Sequence, residues 1–190
     1  MRQVKADRRS QRTRLLLMQA LIDLIRTKRY DAITVQEITE HANVGRSTFY
    51  AHFTDKDDLL VDGVRALVDN LRLSTASAAA DFPSLALFQH VGSHADLYLV
   101  MARGRSLALF LDTLHQELTT VFAQRLAAHV PLGATPAVPL PLLATMTAGM
   151  LITALRHWLE AGLTPPAEAV DCAYRTAADA AVQAGLRPTP

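Results

Sequence analysis

A chain of 190 residues, half of them hydrophobic and 19% charged, can form one compact domain or two small ones and bury roughly 70% of its unfolded surface. Its single cysteine, Cys172, excludes an internal disulfide and a cysteine-ligated zinc finger, and its supply of Leu, Ile, Val and Phe excludes a disordered polymer. The net charge of +1 is unevenly spread: residues 1–56 carry eleven Lys/Arg against six Asp/Glu, and residues 57–190 eight against twelve, so a polyanion partner is expected for the head alone.

The pattern is helical nearly throughout. Residues 14–28 set Leu17, Leu21, Leu24 and Ile25 at helical spacing. Thr34-Val-Gln-Glu37 reads as a capping box opening a short helix to about His41. Asn43-Val44-Gly45 is a turn signal, and a second short helix is expected through Phe53. Asp55 offers an N-cap for a longer helix from Lys56 into the seventies. Further helices are expected from Pro83 to about Gly92, from Asp96 to near Gly104, over 105–129, over 141–161, and from Pro165-Pro166 to Gly185. The segment from Pro131 to Pro141 holds four prolines and a glycine and reads as a loop. No strand and no internal repeat is apparent, so the fold class is all-α with about nine helices.

No run of about 18 uncharged apolar residues stands out, so neither a transmembrane helix nor a membrane partner is expected. The basic N-terminus runs through Arg12 and Arg14 straight into an amphipathic segment, without the apolar core of a secretory leader. The expected location is cytoplasmic.

The segment TVQEITEHANVGRSTFYAHFTDK, residues 34–56, carries the functional signal. Val35, Ile38, Ala42, Val44, Phe49 and Phe53 are the apolar positions that would hold two short helices against the first one. Arg46, Ser47, Thr48, Tyr50 and His52 are left facing outward on the second. These are hydrogen-bonding groups of the kind used at phosphates and base edges. The arrangement is that of a helix-turn-helix. The run Arg2, Lys5, Arg8, Arg9, Arg12, Arg14 just upstream is expected to lie over phosphates or the minor groove.

Residues 10–60 resemble the DNA-binding domain of the TetR family of bacterial transcriptional regulators. The resemblance rests on the apolar first helix ending near Tyr30, on Thr34-Val35, Ile38, Ala42 and Val44, and on Thr48-Phe49-Tyr50 with His52-Phe53, Lys56 and Leu59-Leu60. It implies a three-helix DNA-binding head over 10–56, preceded by a basic arm at 1–9, and a helical ligand-binding and dimerisation domain over 57–190. It also implies roles. Thr34 resembles a phosphate-contacting cap, Arg46 with Ser47 and Thr48 opens the recognition helix, Tyr50 and His52 resemble phosphate and groove-edge contacts, and Lys56 resembles a phosphate contact. Gly45 stands where the family usually has a serine cap, Arg29 where a glycine often ends the first helix, and Ala51 where a polar residue is common.

In the body, the resemblance implies a homodimer built from the last two helices, with Leu151, Leu155, Trp158, Tyr174 and Ala177 as interface candidates beside Leu142, Leu143, Met146 and Met150. An effector cavity would draw on Phe88, Tyr98, Met101, Phe110, Leu114 and Met150. His90 and His94 share a helical spacing suited to a metal, but no acidic or thiol partner is near in sequence, so neither metal nor cofactor is expected. Arg103 and Arg105 read as a solvated helix end. No phosphate loop, acid/base pair or nucleophile motif points to an enzyme.

The reading is a ligand-responsive repressor that binds double-stranded operator DNA as a homodimer and answers to a small-molecule effector. Its alternatives are an adaptor acting through protein contacts and an architectural binder without sequence preference.

Overall fold

The computed structural model describes residues 2–74, 83–130 and 135–187. Nine α-helices and one 3-10 turn, with no β-strand, make up these described residues: α1 Arg2–Thr27, the 3-10 turn Tyr30–Ala32, α2 Val35–His41, α3 Arg46–Tyr50, α4 Lys56–Ser74, α5 Ser84–Ser93, α6 Ala95–Met101, α7 Arg105–His129, α8 Leu140–Glu160 and α9 Ala167–Leu186. The all-α expectation holds. Residues 1–9, expected as an arm, are helical from Arg2 and belong to α1; the side chains of residues 1–8 lie outside the described residues. So do residues 131–134 of the expected loop.

Two compact units result. The first joins Met1–Val64 to Asp96–Phe110, and the second joins Arg65–Ala95 to Leu111–Pro190. The expected DNA-binding segment falls wholly in the first unit. Residues 96–110, expected with the body, cluster with the head instead.

The core of the first unit forms where α1 buries Leu17, Leu21 and Ile25 with Ile38 of α2, Phe49 of α3, Phe53, and Leu59 and Val64 of α4. Gly63 lets α4 approach α1 closely, since a Cβ there would stand 2.3 Å from Met18 Cε. In the second unit α5, α7, α8 and α9 bury Phe88, Leu114, Leu118, Leu151, Leu155 and Trp158. Trp158 meets the Phe88 ring edge-on at 5.6 Å, and its indole N–H donates to Pro165 O at 2.6 Å. Gly92 makes room for it, as a Cβ would sit 3.2 Å from the indole. Buried Ser84 donates its hydroxyl to the buried carboxylate of Asp171, tying α5 to α9.

Contrary to the sequence expectation, α8 is long and apolar enough to cross a membrane by length and composition, but half of its apolar window is buried inside the protein. That is the profile of a core helix.

Candidate nucleic-acid interface

The helix-turn-helix is assembled by local signals. Thr34 caps α2: its hydroxyl oxygen accepts from Glu37 N at 3.3 Å, while the Glu37 carboxylate accepts from Thr34 N at 2.9 Å. The Thr34 hydroxyl proton also goes to that carboxylate, at 2.9 Å. Lys28 pairs with Glu37 from the other side. The Lys28 hydrogen bond, followed by those of Thr34, holds the Glu37 carboxyl down at about 2. After α2 the chain turns at Asn43, whose φ of 51° lies in the left-handed region, and Val44 N closes the turn on Thr39 O at 2.9 Å. Gly45 stands as N-cap of α3 without a side-chain bond.

The helix α3 is five residues long, shorter than expected. His52 N bonds back three residues to Phe49 O at 2.9 Å, which tightens the chain into a turn at Ala51 and His52 before Phe53. Phe49 and Phe53 are both buried, their rings 5.8 Å apart. With these two aromatics anchored, α3 turns Arg46, Ser47 and Tyr50 to solvent, and Tyr50 is 59% exposed. Thr48 and His52 are half-buried beside them. Among the described residues Arg46 has no ion-pair or hydrogen-bond partner.

Lys56 behaves differently from the sequence expectation. Its ammonium donates to three backbone carbonyls, Tyr30 O at 2.8 Å, Asp31 O at 3.1 Å and Ile33 O at 2.7 Å, and lies 4.8 Å from the centroid of the Tyr30 ring. An ammonium has three donors, so this side chain fastens the turn between α1 and α2 to the start of α4. The start of α4 is otherwise capped as expected, with Asp55 accepting from the backbone of Asp57 and Asp58 at 2.8 and 2.9 Å.

The same corner holds a residue that the sequence reads as part of a solvated helix end. Arg105, at the start of α7, pairs with Asp31 at 3.1 Å and with Asp57, and its guanidinium lies 5.8 Å from the Tyr30 ring centroid. Tyr30 donates to Asp57 at 2.6 Å; burial, then that bond, pushes its phenol far above the ordinary range, so it stays a donor. No local signal links Arg105 to partners 74 and 48 residues away.

Residues 17–62 match the family model described as bacterial regulatory proteins, tetR family. An uncharacterized HTH-type transcriptional regulator, YxbF of Bacillus subtilis (strain 168), is 35% identical over 75 residues, 37% of this chain and 20% of its own length; the match thus spans one fifth of that relative. The TetR transcriptional regulator of Streptococcus agalactiae 2603V superposes with a TM-score of 0.62 at 25% identity, covering 94% of this chain and 99% of that one. Residues 17–62 carry the TetR-family DNA-binding segment. The fold extends over the body as well: the fatty acid degradation regulator FadR of Bacillus halodurans gives a TM-score of 0.61 at 16% identity over 90% of this chain and 98% of its own, and RolR in complex with resorcinol gives 0.51 at 23% over 96% and 97%.

The TetR-type body places its candidate residues differently from the sequence reading. Leu151, Leu155, Trp158 and Tyr174 are buried within the chain, as is Leu143, because they form the packed face of α8 and α9. Only Ala177 of the five interface candidates is exposed. The face left open carries Leu142 and Met146, 52% and 50% exposed, on α8, and Cys172, Ala173, Thr176, Ala177 and Ala180 on α9.

The six pocket candidates divide between the two units. Tyr98, Met101 and Phe110 belong to the first unit, where Tyr98 and Phe110 stack edge-on at 5.1 Å. Phe88, Leu114 and Met150 belong to the second. All but Met150 are buried core. A cavity of about 180 Å³ does open within the second unit, between α5, α7, α8 and α9, and none of the six lines it.

The His90 and His94 rings lie 4.6 Å apart, and burial, then His94, pulls the His90 imidazole down. His94 Nδ1 faces His90 O at 2.9 Å and His115 Nε2 faces Thr145 O at 3.2 Å. The described residues contain no group of three or more side chains able to hold a metal ion.

Proposed function

We propose that this chain represses transcription as a homodimer that reads operator DNA through α3 and is released by a small-molecule effector bound in its body. The observation that carries the reading is the state of Arg46: exposed, without a partner among the described residues, and held on a short helix whose buried face is fixed by Phe49 and Phe53. Arginine is the side chain best shaped to take both acceptors of a guanine edge in the major groove. Ser47 and Tyr50 beside it, with Thr48 and His52, supply hydrogen-bonding groups for neighbouring phosphates or bases. Arg9 and Arg12, exposed on α1, add sequence-independent attraction. Thr34 and Lys56 contribute by setting the geometry of α2 and α4, because their donors are occupied within the chain.

One head reads only a few base pairs, and a two-fold dimer on a symmetric site supplies the missing specificity. The Leu142 and Met146 face of α8 and the small residues of α9 support that pairing. Effector control requires a ligand that prefers a conformation with the wrong half-site spacing; such a ligand shifts the population and lowers operator affinity. RolR, of the same fold, is solved with resorcinol, which is consistent with a body that takes small molecules.

Selection of genomic fragments on the purified protein, followed by the mass of the complex, tests this reading. Enrichment of a palindromic site carrying two chains is expected. One chain on an asymmetric site would remove the dimer, and absence of any enriched sequence would move the function to a protein adaptor.

A further inference from the structure

The first unit has a pocket of its own. It opens between the last turn of α1 and the turn that joins α6 to α7, with a volume of about 240 Å³. Four cationic side chains line it, Arg26, Lys28, Arg29 and Arg103, and no carboxylate does. Acids outside the lining offset three of them. Arg26 donates through Nε to Asp96 at 2.9 Å and lies 3.8 Å from Asp23. Lys28 gives Glu37 one of the three donors of its ammonium. Arg29, 76% exposed, stands 3.8 Å from Asp31, beyond hydrogen-bonding distance. Arg103 is exposed and has no side-chain partner among the described residues. One whole charge is thus left at the pocket, with further donors on Lys28 and Arg29. The hydroxyl protons are already in use: Thr27 donates to Leu24 O at 3.0 Å, Ser106 to Met101 O at 3.4 Å and Tyr30 to Asp57 at 2.6 Å. So are two carbonyl oxygens that would repel an anion, since Arg29 O accepts from Ala32 N, and Tyr30 O from Ile33 N and Lys56 Nζ. Ile25 and Val100 give the pocket an apolar side.

We infer that this pocket binds a small phosphomonoester, its phosphoryl group held by Arg103 with Arg29 and Lys28 and its organic group against Ile25 and Val100. Three terminal oxygens accept from several converging N–H groups at once, and arginine presents its donors as a planar fork that matches them. The volume sets the size. About 240 Å³ exceeds the roughly 150 Å³ that accommodates benzene in a protein cavity, so a phosphoryl group on one ring or a short chain fits and a nucleotide does not. Lys28 joins the pocket to the DNA-binding motif, because its partner Glu37 belongs to the capping box of α2. The site lies in the head and is independent of an effector in the body.

Calorimetric titration of the full-length protein at about pH 8, above the second phosphate ionisation near 6, tests the inference without DNA. The probes are phenyl phosphate and phenyl sulfate, which has the same shape and one negative charge fewer. Saturable binding of phenyl phosphate is expected, about tenfold tighter than phenyl sulfate. Arg103→Gln weakens phenyl phosphate about tenfold and leaves the melting temperature in place. A Cβ at Gly104 meets no heavy atom within 4 Å, so Gly104→Asp sets a carboxylate at the pocket without a clash and removes phenyl phosphate binding. Absence of saturable binding, equal binding of the two esters, or an unchanged phenyl phosphate affinity in either variant would overturn the inference. A salt slope on random duplex reduced by a full unit in Arg103→Gln, in a protein that does not bind phenyl phosphate, would give the pocket to the DNA backbone instead. The comparison of the two esters on the wild type needs no variant and decides the matter even where Gly104→Asp fails to fold.

Discussion

In the first compact unit, basic side chains are tied to named partners: Arg14 to Asp62, Arg26 to Asp96, Lys28 to Glu37, Lys56 to three carbonyls, and Arg105 to Asp31 and Asp57. In the second, cohesion comes mainly from aliphatic and aromatic packing around Phe88, Leu114, Leu155 and Trp158, with Ser84 and Asp171 as a buried polar pair. Exposed ion pairs add little stability individually, so the braces of the head matter more for geometry than for free energy. They hold the turn between α1 and α2, and with it the start of α4, while Arg46 on α3 has no partner among the described residues. The contrast teaches where function shows. In the head the candidate is an exposed arginine without a partner among the described residues. In the body the candidate is a cavity of about 180 Å³ in otherwise close packing.

The contrast can be broken most strongly in the body. Trp158→Ala removes the largest ring of that core and its bond to Pro165, and should cost about 3–5 kcal/mol in urea unfolding. Met146→Glu, on the open face of the same helix, should leave helix content unchanged and move the protein to a single-chain sedimentation coefficient.

In the head, Lys56→Met removes the ammonium bonds to the carbonyls of Tyr30, Asp31 and Ile33 and should cost about 2–4 kcal/mol of stability, while the salt dependence of DNA binding stays within one ion of wild type. A slope reduced by a full unit would restore Lys56 as a phosphate contact. Arg46→Ala should leave the melting temperature in place and cost about 1–3 kcal/mol on specific DNA only. Asn43→Ala should cost about 1 kcal/mol by chemical denaturation, since alanine tolerates the left-handed turn less well than asparagine.

Much of the head was legible because its signals are local. The Thr34 capping box, the Asn43-Val44-Gly45 turn and the Asp55 cap each involve residues within four positions of one another, so side-chain chemistry and spacing were enough. The end of α3 was not legible, because the tightening at His52 follows from how Phe53 is buried, not from residue preference. Lys56 and Arg105 were misread for a related reason. Their partners lie 23 to 74 residues away, and a basic side chain near a DNA-binding motif looks alike whether it faces a phosphate or a carbonyl. In the body, α8 is apolar around much of its circumference, so pattern alone could not separate Leu151 and Leu155, which face inward, from Leu142 and Met146, which do not. The cavity depends on four helices meeting and leaves no periodic trace.

The most direct test of the account is fluorescence anisotropy of wild type and Arg46→Ala on the selected palindrome and on random duplex, each at two salt concentrations. The account predicts a preference of at least about a thousandfold for the palindrome, lost mainly on that site in Arg46→Ala, with random-duplex affinity nearly unchanged. Equal affinity of the wild type for both duplexes, or equal losses on both in the variant, would contradict base reading by α3.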